Sequence, residues 1–306
     1  MIKSNLTKLI KQKAIEIGFN DVGITLPSIL EKETLALQNI ILNKKHGSLK
    51  YLEKNVLQRK DISLFFNQAK SIIIVISSYF PTTIQEKSNY KISYYTYSND
   101  YHYIIKSKLI ELWNYIKEII PNAEGKIFCD TSSVFEKAYA AKAGLGWIGK
   151  NTLFINSNLG SYVFIGGIVT NINLEQDNSI CKFCPDSCNL CLKACPVNAI
   201  EKPYILNPSL CISYATIENH EPEFHFNNPT RFIAGCDICQ QVCPYNQNII
   251  TTNKWFLPNE YVFWSNEQWE NISSSKFKKV FQHTIFKRIG FKKLKSNIEH
   301  VKVNLH

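Results

Sequence analysis

No stretch of this 306-residue sequence stays apolar for long. The longest run, SIIIVISSYF at 71–80, is half of the roughly 20 residues a bilayer span needs, so no membrane helix is expected. The first residues, MIKSNLTKLIKQK, alternate lysine with apolar side chains and lack the unbroken apolar core of a signal peptide. A cytoplasmic protein with no membrane partner is the expectation. Glycine and proline are few, 12 and 11 residues, and with 45% hydrophobic and 20% charged residues the composition is that of an ordinary folded soluble protein. The length suits one large domain or two smaller ones. Acidic residues nearly vanish near the C-terminus: Lys276–Lys302 holds nine Lys/Arg and one acid, Glu299, a local +8 within a net charge of +10. A basic tail is often only a solvated face, but charge this concentrated favours a polyanionic partner.

Cysteine, by contrast, is plentiful. In a compartment where thiols stay reduced, ten cysteines point to metal or catalysis rather than to disulfides.

Hydrophobic periodicity sketches the rest. Leu6, Leu9, Ile10, Ala14 and Ile17 have helical spacing, stopped by Gly18; DVGIT reads as a short strand, 31–43 as a helix and SIIIVIS as a buried strand. A tyrosine-rich loop, YKISYYTYSNDYHY, leads into a helix that Pro121 ends. GKIFCD is strand-like, and SVFEKAYAAKA is helical, opened by a capping box from Ser133 to Glu136 and closed by Gly144. NTLFIN and SYVFIGGIVT follow as strands. The class is α+β: an α/β domain with a mixed sheet over 1–174, a loop-rich domain held by metal over 175–250, and a basic helical segment over 251–306. In that last segment Phe291, Leu294 and Ile298 form one apolar seam.

The only internal repeat lies in the cysteines. CNLCLKACP (Cys188, Cys191, Cys195, Pro196) and CDICQQVCP (Cys236, Cys239, Cys243, Pro244) share C-x2-C-x3-C-P, the end of the bacterial ferredoxin run in which the last cysteine ligates the other cluster. Zinc ribbons use separated C-x2-C pairs and have no reason to repeat an x3-Cys-Pro ending. Two 4Fe–4S clusters need eight thiolates. One would take Cys184, Cys188, Cys191 and Cys243; the other Cys195, Cys211, Cys236 and Cys239. Cys181 is then left over, with Cys181 and Cys184 as a displaced C-x2-C the alternative. Cys129 stands far upstream. A bare electron carrier would leave the α/β region unexplained, so the clusters are expected to feed a centre held there.

Two motifs are decoys. GLGWIGKN (144–151) matches G-x-G-x-x-G, but a helix precedes it and a strand follows, the reverse of a nucleotide-binding loop. Its glycines are expected to bring backbone close to a flat or bulky ligand. Asp100-Tyr-His102 opens like the D-x-H-x-x-G cobalamin motif, but Ile105 replaces the glycine. Asp130, in FCDTSSVFEK, is the sharper candidate, at the strand-to-helix edge where α/β proteins bind ligands.

In order along the chain, CDTSSVFEKAYAAKAGLGWIGKNT, GSYVFIGGIVT, CLKACPVNAI, CISYATIE and GCDICQQVCPYNQ resemble the epoxyqueuosine reductases, and the likeness extends to KYLEKNVLQRKD and FKKVFQHTIFKRIGFKKLKSNI. The chain departs from that pattern in its extra cysteine, in a Ser where many relatives have Pro, and in having no C-terminal helical-repeat extension. The resemblance implies an oxidoreductase that reduces epoxyqueuosine to queuosine at the wobble base of tRNA, the last step of queuosine synthesis, with cobalamin and two 4Fe–4S clusters. It implies Asp130 as proton donor, its pKa raised by burial against the corrin. Arg59, Trp147, Lys150, Asn151, Phe154, Ser213 and Tyr214 match regions that enclose the cobalamin, which is expected base-off. The Lys276–Lys302 stretch would hold tRNA phosphates, and Tyr94, Tyr95 or Tyr97 could stack on the base. An external electron donor and a monomer are expected. The other reading is a related corrinoid iron–sulfur reductase, dehalogenase-like, acting on a small molecule.

Overall fold

The computed structural model describes residues 3–180, 182–219, 228–249 and 253–303. Four strands form the central sheet, in the spatial order Asp21–Thr25, Ser71–Ser78, Val163–Thr170, Gly125–Phe128. Each of the three pairings is antiparallel. The expected mixed sheet is therefore corrected: parallel pairing occurs apart from it, between Lys91–Ile92 and Phe232–Ala234. The class remains α+β.

SIIIVIS is a continuous apolar run because both faces of its strand are covered. Side chains alternate across a strand. Ile73 and Val75 join a core with Ile10 and Ala14 of helix Lys3–Ile17 and with Ile105 and Leu109 of helix Tyr101–Ile119. Ile72, Ile74 and Ile76 face the other way, onto Ala138, Tyr139 and Ala140 of helix Glu136–Lys142. Helices thus sandwich the sheet, and the strand ends deliver Asp130 and the loops around it to one edge.

The C-terminal residues share a third core with the first half of the chain. Tyr90, Ile92 and Tyr97 pack with Ile217, Ile233, Trp264, Trp269, Phe281 and Phe286, and with Leu294 and Ile298 of helix Phe291–Val303. Full burial of each of those aliphatic side chains contributes about 1.5–3 kcal/mol. The expected seam forms, with Phe291 at its partly buried margin.

The capping box does not form. Helix Glu136–Lys142 starts after Phe135 with no side-chain cap, because the Glu136 carboxylate turns back to accept from the Asp130 amide. The GLGWIGKN glycines let this backbone pack closely on protein. A Cβ on Gly146 would stand 2.1 Å from the Ile155 carbonyl oxygen, and Gly144, at φ +74°, would meet the Asn178 oxygen at 2.3 Å. Among the described residues no helix is long and apolar enough to cross a membrane.

Candidate active site and thiol clusters

Asp130 follows the buried Cys129 at the end of strand Gly125–Phe128, in a left-handed turn at φ +55° that Asp tolerates better than most residues. Its Oδ2 lies 2.8 Å from His102 Nε2, and His102 Nδ1 lies 2.6 Å from Asp100 Oδ1. Asp100 also caps helix Tyr101–Ile119, accepting from the His102 amide at 3.0 Å. The histidine is thus fixed by the first turn of a helix and held between two carboxylates. Tyr101 adds a stacked contact, its ring 4.1 Å from the imidazole and 4.0 Å from Phe164 of the central sheet.

Burial works to raise the Asp130 carboxyl, but hydrogen bonding and charge from His102 outweigh it and hold it below the usual range. The raised carboxyl that the resemblance implies depends on burial against the corrin; beside His102 alone, Asp130 is held low. Burial likewise opposes charge on His102, yet its bonds to Asp100 and Asp130 push it up to about 9. At neutral pH the pair is imidazolium and carboxylate, with the mobile proton on the histidine. The sequence had set Asp100 and His102 aside with a failed motif; the residues matter without it. Glu136 beside them is pushed up to about 8, by burial first and then by repulsion from Asp130.

Around Asp130, Tyr51 lies within electrostatic range of Asp130, Arg59, Glu218 and Arg288, and Arg288 pairs with Glu218. The Arg59 Nε is buried without a partner among the described residues, which suits an acceptor on a bound group. Tyr95, in range of Glu218 and Arg288, bonds Ser213, two residues after Cys211. Tyr97 is 3% exposed, with its hydroxyl accepting from the Gln85 amide, so it does not reach a base; Tyr94 and Tyr95 are partly buried.

The cysteines fall into two groups. Cys184, Cys188, Cys191 and Cys243 line one cavity of about 110 Å³, with Ile155, Leu190 and Tyr245. Cys195, Cys211 and Cys236 are mutual electrostatic neighbours, and Cys239 borders Cys236 and Cys211. Among the described residues no three His, Cys, Asp or Glu side chains are close enough to hold a single metal ion. A tetrahedral zinc needs four sulfurs about 2.3 Å from one point. Thiols spread around a cavity fit a polynuclear cluster instead. Backbone amides point at the sulfurs: Ala199 N lies 3.2 Å from Cys195 Sγ, and others bond Cys211, Cys236 and Cys243. Such bonds are the usual second sphere of iron–sulfur sites. Burial pushes the Cys236 thiol up to about 12, so thiolates here need cationic iron to compensate them. Cys181 lies outside the described residues. Cys129 is fully buried and points to the Ile165 carbonyl, away from both groups.

Several residues expected around a corrin have other partners. The Lys150 ammonium donates to the carbonyls of Pro185, Asp186 and Cys188 at 2.7, 3.0 and 2.8 Å, tying down the loop that carries the first thiols. Trp147 packs with Ile155, Cys243 and Tyr245 against the outer cavity, and Phe154 packs in the core behind the sheet. Asn151 lines that cavity and reaches toward the Cys239 carbonyl at 3.5 Å. The Tyr214 hydroxyl accepts from the Ser48 amide at 2.7 Å, beside Gly47, whose φ of +57° and closeness to that hydroxyl exclude a side chain. Of the set, Arg59 lies within electrostatic range of Asp130, and Ser213 bonds Tyr95.

Of the nine basic residues in the tail, Lys276, Lys278, Lys279, Lys287, Arg288 and Lys292 are exposed. Lys293 is buried, Lys302 pairs with Glu270, and Lys295 donates to the Glu270 carbonyl at 2.6 Å.

A family model described as epoxyqueuosine reductase QueG, DUF1730, matches residues 59–131, and one described as a 4Fe-4S double cluster binding domain matches residues 181–246. The epoxyqueuosine reductase of Cellulophaga algicola is 38% identical over 304 residues, covering 98% of this chain and 99% of its own. Among solved structures, epoxyqueuosine reductase from Streptococcus thermophilus superposes with a TM-score of 0.89 at 28% identity, over 99% of this chain and 82% of that one. An epoxyqueuosine reductase crystallised with an epoxyqueuosine-modified tRNA-Tyr stem loop gives 0.87 at 26% identity, over 98% and 81%. A B12-dependent reductive dehalogenase shares the fold at a TM-score of 0.52 and 12% identity, over 96% of this chain and 38% of that one.

Proposed function

Because this chain belongs to the epoxyqueuosine reductases, we propose that it removes the epoxide oxygen of epoxyqueuosine at the wobble nucleotide of tRNA, completing queuosine. The change balances as epoxide, two electrons and two protons giving alkene and water. The outer thiols Cys184, Cys188, Cys191 and Cys243 and the inner thiols Cys195, Cys211, Cys236 and Cys239 each hold one 4Fe–4S cluster. Cobalamin, when bound, supplies a strongly reducing cobalt centre beside the epoxide. The partnerless Arg59 Nε would suit an amide carbonyl of the corrin edge, and Ser213, bonded to Tyr95, would stand on the side of the inner thiols. Both His102 ring nitrogens are engaged by carboxylates, which leaves that imidazole to the proton chain.

Opening an epoxide leaves charge on oxygen, and a positioned acid lowers that cost, typically by 10²–10⁴-fold. Asp130 hands over the proton and His102 stores it. With the carboxylate ionised at rest, the pair acts as one acid whose proton moves from His102 through Asp130 to the alkoxide. The exposed lysines at 276, 278, 279, 287 and 292 hold tRNA phosphates, giving affinity that falls with salt. The protein's setting is the cytoplasm, where thiols stay reduced and tRNA is found. The enzyme works as a monomer fed by an external electron donor.

One observation carries this reading: the proton chain and the inner thiol turn are neighbours, with Arg288 in electrostatic range both of Asp130 and of Tyr95, which bonds Ser213. The test is anaerobic turnover of epoxyqueuosine-containing tRNA with a chemical reductant. Loss of one oxygen atom from the nucleoside is expected, and Asp130→Asn should retain corrin and iron while losing turnover. Unchanged nucleoside with fully loaded native enzyme would sink the assignment.

A further inference from the structure

The two thiol groups differ in their surroundings. The inner one is joined to the Asp130 side of the molecule through Ser213 and Tyr95, and Asp237, beside Cys236, accepts from the Tyr94 amide at 2.7 Å. The outer one opens to the surface. Phe183, adjoining Cys184, is 69% exposed, Leu190 on its rim 45%, and Tyr204 46%. Tyr204 belongs to that rim: its amide donates to the Lys150 carbonyl at 2.9 Å, and Cys184 and Asp186 are its electrostatic neighbours. Three apolar side chains left in water around a redox site are unusual unless something covers them.

Their neighbours indicate what. Lys182 adjoins Phe183, Lys193 is in the short helix with Leu190, and Lys202 precedes Tyr204 in its hairpin; all three are exposed and none is in an ion pair among the described residues. The nearby acids are Asp186 and Glu201, and Glu201 is neutralised by Lys45. The rim is therefore apolar at its centre and positive at its edge.

We propose that this face is the docking surface for a small acidic one-electron carrier protein. The proposal rests on reading the outer cavity as a cluster site. In each encounter the carrier is oxidised by one electron and the outer cluster reduced by one; two encounters supply the pair the epoxide consumes. Apolar contact at the centre brings the redox groups close, and the lysines steer the approach.

The test follows cluster reduction anaerobically by stopped flow, with the cobalamin- and iron-loaded enzyme. The probes are reduced plant-type ferredoxin, an acidic carrier near about −400 mV, and, in parallel, a small chemical reductant. The ferredoxin rate should fall as salt rises. The triple variant Lys182→Gln, Lys193→Gln, Lys202→Gln should slow it about tenfold or more, and Phe183→Ser should slow it further, with iron content and the chemical rate unchanged. Equal ferredoxin rates for native and triple-variant protein, or no salt dependence, would overturn the proposal. So would weaker binding of a tRNA stem loop by the triple variant, which would make the face an RNA surface. Native protein that takes up no iron would instead strike at the cluster reading itself.

Discussion

His102→Gln is the substitution with the clearest expected outcome. The imidazole is raised from its ordinary 6.5 to about 9 by two carboxylates at 2.6 and 2.8 Å. A group whose pKa is higher folded than unfolded stabilises the fold below its unfolded value. That contribution fades as pH climbs through the folded one. Here it is complete below about 6.5 and lost through about 9. At 1.36 kcal/mol per pH unit the interval is worth at most about 3 kcal/mol. The His102 side chain is 13% exposed but that of Asp130 is 51%, so solvent screening reduces the expectation to about 1–2 kcal/mol. Chemical denaturation at pH 7 and pH 10 should show that loss in native protein and little of it in the variant. Turnover makes the sharper readout. Driven by a chemical reductant, native turnover should hold across neutral pH and fall above about 9, as the stored proton is lost. In His102→Gln the rate should drop by about 10²-fold, with the alkaline limb displaced and corrin and iron retained. A variant with the native rate and the native limb would refute the relay. So would a native limb near the free-imidazole value.

Three further outcomes follow from the site. Lys150→Met removes three donors from the carbonyls of Pro185, Asp186 and Cys188; at about 1 kcal/mol or more each, the loop should loosen, and iron analysis should show selective loss of the outer cluster. Cys181→Ala should keep both clusters, because four other thiols already line the outer cavity; loss of half the iron would make Cys181 a ligand. Replacing Lys278, Lys279 and Lys292 by Gln should weaken stem-loop binding and flatten its dependence on log salt by roughly 0.7–0.9 per charge removed, measured by fluorescence anisotropy at several ionic strengths.

The sequence discloses what is local. Cluster ligands separated by two or three residues and closed by proline are readable, because one loop must wrap one inorganic cube, and the four outer cysteines named from spacing do line one cavity. The buried strand at Ser71–Ser78 is readable because eight consecutive covered positions leave no polar alternation. The proton store is not readable in this way. His102 and Asp130 stand 28 residues apart and meet only when a helix start and a strand end reach the same sheet edge. For the same reason the pull of His102 on the Asp130 carboxyl is not legible: local sequence suggests burial but cannot reveal an imidazolium across the gap. Glu136 illustrates another limit. A capping box and a carboxylate that grips a preceding loop have the same spacing in sequence, and tertiary context chose the second. The glycines of GLGWIGKN announce close approach without saying to what, and the answer is the protein's own strand.

The stack of Tyr101 on Phe164 has a consequence for restraint. It bolts the imidazole to the rigid sheet, whereas Asp130 rides on a kinked connection between strand and helix. Its separation from the ring is then set by a few bonds at that kink, those of the Asp130 carboxylate to His102 and Tyr101 and of its amide to Glu136. Any loosening of the loop is felt first by the carboxylate, while the imidazole stays where the helix and sheet hold it.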